Sequence, residues 1–262
     1  MGDIIFGLIA VTIGIGASYG LYWLLNALLS FLPEKILKRV QWIAFLTPAL
    51  VLVTLVLLVP IVQTFIWSFM DKRVENYVGF DNYVALFTDP NFLSVLVNNF
   101  LWVLVVPAIT VAIGTAVATL TNQVGPTREK IFKTLIFMPM SISFVAAATI
   151  WSLTYAYVPP GRPEVGVLNS IMIGLGLEAQ PWLTISDGRL NTFLLMAVLV
   201  WLQVGYSMVI ISAGIKSVPE ETVEAARIDG ANGAQVFFRI IVPQIRSTLM
   251  SVFVTVLILV MK

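Results

Sequence analysis

Residues 216–243 read KSVPEETVEAARIDGANGAQVFFRIIVP and separate two long apolar runs. Ser217 and Glu220 have the spacing of a helix capping box, and Pro219 lies where proline is favoured at a helix start. Acidic residues in the first turn suit the positive end of the helix dipole. We therefore expect a helix that begins near Ser217 and ends at about Ile228.

A turn and a second short helix are expected to follow. Asp229-Gly230 should end the first helix, because glycine accepts the left-handed conformation common at helix ends. The next stretch is amphipathic and is closed by a proline; its apolar positions and that proline are Val236, Phe237, Ile240, Ile241 and Pro243. Physical reasoning alone allows two roles for this hairpin, which are anchoring at a membrane surface and docking onto a partner.

Outward from this segment, the chain consists mainly of long runs without a charged residue. They occupy roughly Ile4–Leu32, Val40–Met70, Phe92–Gln123, Ile136–Pro160, Leu190–Ile215 and Ser247–Met261. A helix needs about 20 apolar residues to cross a hydrocarbon core about 30 Å thick. The sequence therefore predicts an all-α, polytopic integral membrane protein with five complete spans and the start of another.

The composition agrees with a membrane protein and excludes several functions. Of the 262 residues, 59% are hydrophobic and 11% are charged, against about 25% charged residues in soluble domains. The chain has no Cys and no His, which excludes disulfides, thiol catalysis and His-ligated metal sites. A formal net charge of +1 argues against nucleic-acid binding. We predict no catalytic residue, no metal site and no resident cofactor.

Basic residues predict the orientation in the membrane. If 216–246 is cytoplasmic and the spans alternate, ten basic residues lie inside: Lys35, Lys38, Arg39, Arg128, Lys130, Lys133, Lys216, Arg227, Arg239 and Arg246. Four lie outside: Lys72, Arg73, Arg162 and Arg189. Because positive residues favour the cytoplasmic side, the amino terminus is predicted outside.

The energy source for any transport must lie on another chain. No Asp, Glu, Lys or Arg falls inside a predicted membrane core, whereas ion-coupled carriers and proton pumps use such groups. A phosphate-binding loop of the form G-x-x-x-x-G-K-[ST] is also missing from the sequence. An ion-coupled carrier is therefore disfavoured.

The segment quoted first is similar to the EAA loop of binding-protein-dependent ABC importer permeases. The similarity lies in Glu224-Ala225-Ala226, Gly230 and Ile240-x-Val242-Pro243, and the fuller Pro219–Ala231 string resembles the sugar-transport branch. Val242 and Ser247 replace the usual Leu and Pro. In that family the loop is a coupling helix that docks in a groove of a separate ATPase. The resemblance assigns this role to Glu220, Glu221, Glu224, Ala225, Ala226, Asp229, Gly230, Ala231, Ile240 and Pro243.

Other fragments extend the resemblance over most of the chain. They are Trp67-Ser68-Phe69, Gly79–Tyr83, Phe87–Phe92, Gly166–Asn169 and Pro181-Trp182-Leu183. The resemblance implies a permease of the type I importer kind in the bacterial inner membrane. It also implies these partners: a second homologous permease, two ATP-binding cassette subunits that bind ATP and Mg, an extracytoplasmic solute-binding protein, and lipid.

The resemblance further divides the chain into two parts. Residues 1–32 are expected to form an extra amino-terminal helix, and residues 40–262 the permease transmembrane domain. Since family members continue through another loop and span, we expect the carboxyl end to be incomplete. The implied function is import of a sugar or sugar-like compatible solute.

Polar and aromatic residues within two spans are candidates for the solute path. Gln203 lies near the middle of one span, and Tyr206 shares its face. Trp151 and Tyr155 share a face of another span. Aromatic rings and amides suit a sugar, but Gln and Ser also bind helices together, and Trp and Tyr also form interfacial belts. Both interpretations are kept, as is a wider alternative, a membrane scaffold that transports nothing.

Overall fold

The computed structural model describes residues 2–159 and 161–262; Met1 and Pro160, which end two predicted segments, lie outside the described residues. The described residues are mostly helical and form no β-strand, and an isolated antiparallel bridge joins Met70 to Tyr77. The chain divides into two compact units, Met1–Asp89 and Pro90–Lys262.

In the part of the first unit that the structure describes there are four helices. They are α1 (Gly2–Leu29), α2 (Glu34–Val53), α3 (Val59–Trp67) and α4 (Asp81–Thr88). A π-helical turn, Thr54–Leu58, joins α2 to α3 into one 34-residue rod. Pro60 has no N–H to donate, and the widened turn before it lets Val59 bond to the carbonyl of Thr54 instead. No residue of this rod's most apolar window is buried within the chain.

The loop after α3 is held by the residues of two family-like fragments. The Asn82 amide donates to the carbonyls of Ser68 (2.9 Å) and Met70 (2.8 Å). The Phe69 ring lies 5.4 Å from those of Phe80 and Tyr83. The two fragments therefore pack on each other.

The second unit contains nine helices among its described residues. They are α5 (Pro90–Asn122), α6 (Pro126–Phe137), α7 (Phe144–Thr154), α8 (Val167–Gly174), α9 (Leu190–Lys216), α10 (Glu220–Ile228), α11 (Gly233–Val236), α12 (Val242–Gln244) and α13 (Arg246–Val260). Its core is mainly apolar and lies where α5, α9 and α13 meet: Val106, Ala118, Met196, Val200, Val204, Met208, Ile211, Ile245, Val252 and Val256. Half of the most apolar window around α9 is buried, which makes α9 the central helix.

Helices α5 and α9 run in the same direction. At one end Arg189 bonds to Asn98 near the start of α5. At the other end Ser212 bonds to Asn122, the last residue of α5. Because both helices run in the same direction, the segment that connects the end of α5 to the start of α9 must run back along their full length.

Helices α6 and α7 make this return and correct one prediction. The sequence was read as a single span over 136–160, but α6 with its 3₁₀ turn (Met138–Ser141) meets α7 at 99°. Pro139 lies in the break, and the Ser143 hydroxyl caps α7 by accepting from the Ala146 N–H at 3.2 Å. The prediction of a continuous helix is wrong, because hydropathy shows that a run is apolar but not whether its helix bends.

The bent pair nevertheless follows α9 from end to end. Glu129 of α6 bonds to Lys216, the last residue of α9, and the Tyr155 hydroxyl donates to the Leu194 carbonyl near its start at 3.2 Å. We therefore interpret the pair as one broken span. Within residues 2–159 and 161–262, three helical rods are long and apolar enough to cross a membrane, and the number is up to five if each bent pair is one span.

Glycines allow close packing against α9, as is common between membrane helices. A Cβ added to Gly205 would lie 2.5 Å from the Ile136 carbonyl oxygen and 2.6 Å from Phe137 Cα. A Cβ added to Gly114 of α5 would lie 2.6 Å from the Ser207 Cβ. These positions let α5 and the break after α6 approach the central helix.

Candidate functional site

The first candidate site is the segment between α9 and α13, and its first helix starts differently from the prediction. Ser217 was expected to cap α10, but it ends α9, and its hydroxyl donates to the Gly214 carbonyl at 2.8 Å. Pro219 is the N-cap residue of α10 and offers no side-chain cap. The predicted capping box does not form because Ser217 is the C-cap residue of the preceding helix.

The end of α10 is as predicted. The helix ends at Ile228, and Gly230 has a φ of 87°. The Ala231 N–H donates to the Ala226 carbonyl at 2.9 Å, and the Gly230 N–H donates to the Arg227 carbonyl at 3.0 Å. This pair of bonds is a Schellman motif, in which glycine is the favoured residue at the left-handed position.

The second helical stretch is longer than predicted. A capping box that the sequence analysis missed, Asn232 with Gln235, begins α11. The helix continues through a π turn (Phe237–Ile241) into α12, so Pro243 does not close it. The Val242 N–H bonds to the Phe237 carbonyl, which repeats the widened turn found before Pro60.

The coupling residues predicted by resemblance form a largely exposed surface. Glu220, Glu221, Glu224, Ala225, Asp229, Gly230 and Pro243 are exposed, whereas Ala226, Ala231 and Ile240 are half-buried. Two apolar side chains that sequence reasoning did not select belong to the same surface, Ile228 at 85% exposure and Phe238 at 67%. Val236 and Ile245 are buried and hold the segment against the core.

A polar cluster fixes the start of this segment to the helix ends beside it. The Glu129 carboxylate of α6 pairs with both Lys133 and Lys216. Lys133 also donates to Asn122 at 3.2 Å, and the Ser212 hydroxyl donates to the same oxygen at 2.7 Å. The cluster therefore joins α5, α6 and α9 just before the coupling surface.

The second candidate site is a cavity of about 1080 Å³ in the second unit. Trp151 and Tyr155 line it, as do Trp102, Asn99 and Ser152, which sequence reasoning did not select. The Trp151 ring lies 5.2 Å from that of Tyr155. The Trp151 indole N–H is buried and has no hydrogen-bond partner among the described residues. The site thus combines aromatic faces with an unused donor.

Gln203 and Tyr206 lie elsewhere. Gln203 is 6% exposed, and Tyr206 packs against the hydrophobic core. Neither is among the residues that line the large cavity, although the adjacent Leu202 is. Their position favours the packing interpretation of the two that the sequence allowed.

A buried asparagine organises the loop above the cavity. Asn169 uses its whole side chain: its amide donates to the carbonyls of Ala156 (2.9 Å) and Gln180 (3.0 Å). Its oxygen accepts from the Gln180 N–H at 2.9 Å and the Trp182 indole at 2.8 Å. The two family-like fragments of this loop are therefore joined by one residue.

Comparison with known proteins identifies the family. Residues 108–262 match the family described as the inner membrane component of binding-protein-dependent transport systems. The chain belongs to this family. It is a membrane-spanning transport component of an ABC importer and not itself an enzyme, and its relatives give no support to the scaffold alternative.

Two relatives are similar over most of the permease. The alpha-glucoside transport system permease protein AglF of Rhizobium meliloti (strain 1021) is 41% identical over 275 residues, which cover 100% of this permease and 81% of AglF. The osmoprotective compounds uptake permease protein GgtC of Synechocystis sp. is 45% identical over 218 residues, which cover 83% of this permease and 77% of GgtC.

Solved structures show the same fold. A bacterial ABC transporter involved in import of the acidic polysaccharide alginate contains a chain with a TM-score of 0.69 and 23% identity, covering 85% of the permease and 75% of that chain. The same transporter in complex with an alginate pentasaccharide-bound periplasmic protein also matches with a TM-score of 0.69. The permease therefore has the fold of a type I importer subunit.

Proposed function

We propose that the permease forms half of the translocation path of an importer for an α-glucoside or a sugar-like compatible solute. The proposal rests chiefly on the similarity to AglF, which extends over the whole of this chain. The cavity adds chemical support, because the rings of Trp102, Trp151 and Tyr155 suit the C–H faces of a sugar and the Trp151 N–H suits its hydroxyls. We place the solute beside Trp151 and Tyr155.

The partners in this proposal follow from the coupling surface and the family. A second permease completes the path, two ATP-binding cassette subunits bind ATP and Mg, and an extracytoplasmic protein delivers the solute. The exposed Ile228 (85%) and Phe238 (67%) favour a protein partner for the segment between α9 and α13, since apolar side chains outside the membrane gain most by burial in an interface. We assign the ATPase as that partner and Glu220–Ala231, Ile240 and Pro243 as the contact.

Gly230 offers a sharp test of this coupling role. Gly230→Asp places a side chain on a residue with a φ of 87°, which costs about 1 kcal/mol or more, and adds a charge at the proposed contact. Gly233→Asp is the matched control, because φ there is not positive and no atom lies within 4 Å of an added Cβ at either glycine. We expect the first variant to insert normally but to lose solute uptake and solute-stimulated ATP hydrolysis, and the second to keep both.

The measurement uses the full importer reconstituted in liposomes, with the binding protein saturated by members of a panel of α-glucosides, polyol glycosides and solutes without a sugar. Wild-type rates of hydrolysis and uptake in Gly230→Asp would contradict the coupling assignment. Uptake restricted to solutes without a sugar would contradict the solute class while leaving the coupling role intact.

A further inference from the structure

A second, smaller pocket lies at the other end of α5 and α9 from the coupling surface. It encloses about 510 Å³ and is lined by Ser94, Asn98, Ser186, Arg189, Asn191 and Thr192, together with Gly188. Every lining side chain is polar, and none is aromatic. The large cavity, by contrast, is lined by four aromatic side chains, Trp102, Phe144, Trp151 and Tyr155. Because aromatic rings commonly cover the C–H faces of bound sugars, this pocket suits the transported solute less well than the cavity does.

The chemical centre of the pocket is the Arg189 guanidinium. Its hydrogen bonds within the described residues both leave from Nη1, to the Asn98 side-chain oxygen and to the Ser94 carbonyl at 3.3 Å. Both acceptors are neutral, and Arg189 makes no ion pair with any carboxylate that the structure describes. An arginine carries five N–H donors, so Nε and Nη2 are left to bind a further acceptor.

The backbone holds this guanidinium in place. Arg189 has a φ of 60° and follows Gly188, which also has a φ of 60°. A left-handed conformation is unfavourable for a residue with a Cβ and persists where the surrounding structure fixes it. Arg189 is thus positioned between the start of α9 and the first turns of α5.

We propose that this pocket binds an Asp or Glu side chain of the solute-binding protein. The inference rests on the proposed function, and on the orientation that places the starts of α5 and α9 outside. A cation without a carboxylate partner, surrounded by hydroxyls and amides, is complementary to a carboxylate. The outer ends of the spans are also the surface that a delivering protein reaches first. Charged residues at such a contact mainly raise the association rate and its dependence on salt.

The test uses the reconstituted importer and its own purified, solute-loaded binding protein. ATP hydrolysis is measured against binding-protein concentration at low and high salt. For Arg189→Glu we expect the half-saturating concentration to rise about tenfold or more at low salt, with a weaker salt dependence and an unchanged maximal rate. Arg189→Lys should keep most of the wild-type response.

One control separates docking from a general effect of charge, and the charge-preserving Arg189→Lys variant separates it from a purely structural role. Arg162→Glu reverses an exposed basic residue of the neighbouring loop and reports any general effect of charge. An effect confined to Arg189→Glu supports the proposal. An equal effect in Arg162→Glu, or an unchanged half-saturating concentration in Arg189→Glu, would overturn it.

The failure of this proposal is distinguishable from failure of the proposed function. A wild-type importer that the binding protein stimulates, with an unaffected Arg189→Glu variant, overturns only the docking pocket. A wild-type importer that no loaded binding protein stimulates overturns both. A third outcome is that inorganic phosphate alone protects Arg189 from chemical modification, while the variants leave the response to the binding protein unchanged. That result would identify a simple anion site and would likewise overturn the docking role.

Discussion

Trp151 shows how a single residue can carry both packing and recognition. Its ring lies 5.2 Å from that of Tyr155 and 5.7 Å from that of Trp201, so the ring itself is needed for packing. The indole N–H, however, is buried with no partner among the described residues. A buried donor without a partner is unfavourable, and a solute hydroxyl in the cavity would satisfy it.

Trp151→Phe isolates the donor, since it keeps an aromatic ring and removes the N–H. We expect the maximal uptake rate with saturating loaded binding protein to fall about two- to tenfold, the range for one neutral hydrogen bond. Gln203→Leu is the contrasting variant and should keep the wild-type rate, because Gln203 is buried away from the large cavity. If Gln203→Leu lowers the rate and Trp151→Phe does not, the path follows the face of Gln203 and Tyr206.

Secondary-structure elements differ in how well the sequence predicts them. Five of the six long apolar runs match helices to within six residues at either end, and Asp229-Gly230 predicts the left-handed turn. The run 136–160 does not match, because α6 begins at Pro126. The break at Ile142-Ser143 was missed because an apolar run is the same whether it is straight or bent by 99°. The polar cluster around Glu129 joins Lys133 to Ser212, which are 79 positions apart, and Glu129 to Lys216, which are 87 positions apart. No local sequence pattern predicts such distant contacts.

Gly205 tests whether close packing at this break stabilises the element. A Cβ there would meet the backbone of Ile136 and Phe137 at 2.5–2.6 Å, and backbone atoms cannot move aside as a side chain can. We expect Gly205→Ala to destabilise the permease by about 1–3 kcal/mol, the usual range for overpacking. Gly20→Ala in α1 is the control, since no atom lies within 4 Å of its added Cβ. Thermal unfolding of the purified protein in detergent measures both, and equal midpoints would contradict the packing role.

At the scale of the whole molecule, two independent arguments bear on how the permease is oriented. Counting basic residues predicts the segment 216–246 inside, with ten such residues inside against four outside. The parallel course of α5 and α9 does not depend on that count. If α9 crosses the membrane, the loop before it and the segment after it lie on opposite sides, because Arg189 and Lys216 bracket that helix.

Cysteine labelling tests both arguments in one experiment. The natural sequence contains no Cys, so a cysteine introduced at Asn232, at Arg162 or at position 2 is the sole target of an impermeant thiol reagent. If α9 crosses the membrane, Asn232→Cys and Arg162→Cys react from opposite sides, whichever side is cytoplasmic, because α9 lies between them. The charge bias adds that Asn232→Cys reacts only from the cytoplasm, and that position 2 reacts from outside together with Arg162→Cys.

Reaction of Asn232→Cys and Arg162→Cys from one side would contradict α9 as a membrane-crossing helix. Opposite sides with Asn232→Cys outside would keep the helix arrangement and reverse the orientation, and the coupling surface could then not meet a cytoplasmic ATPase.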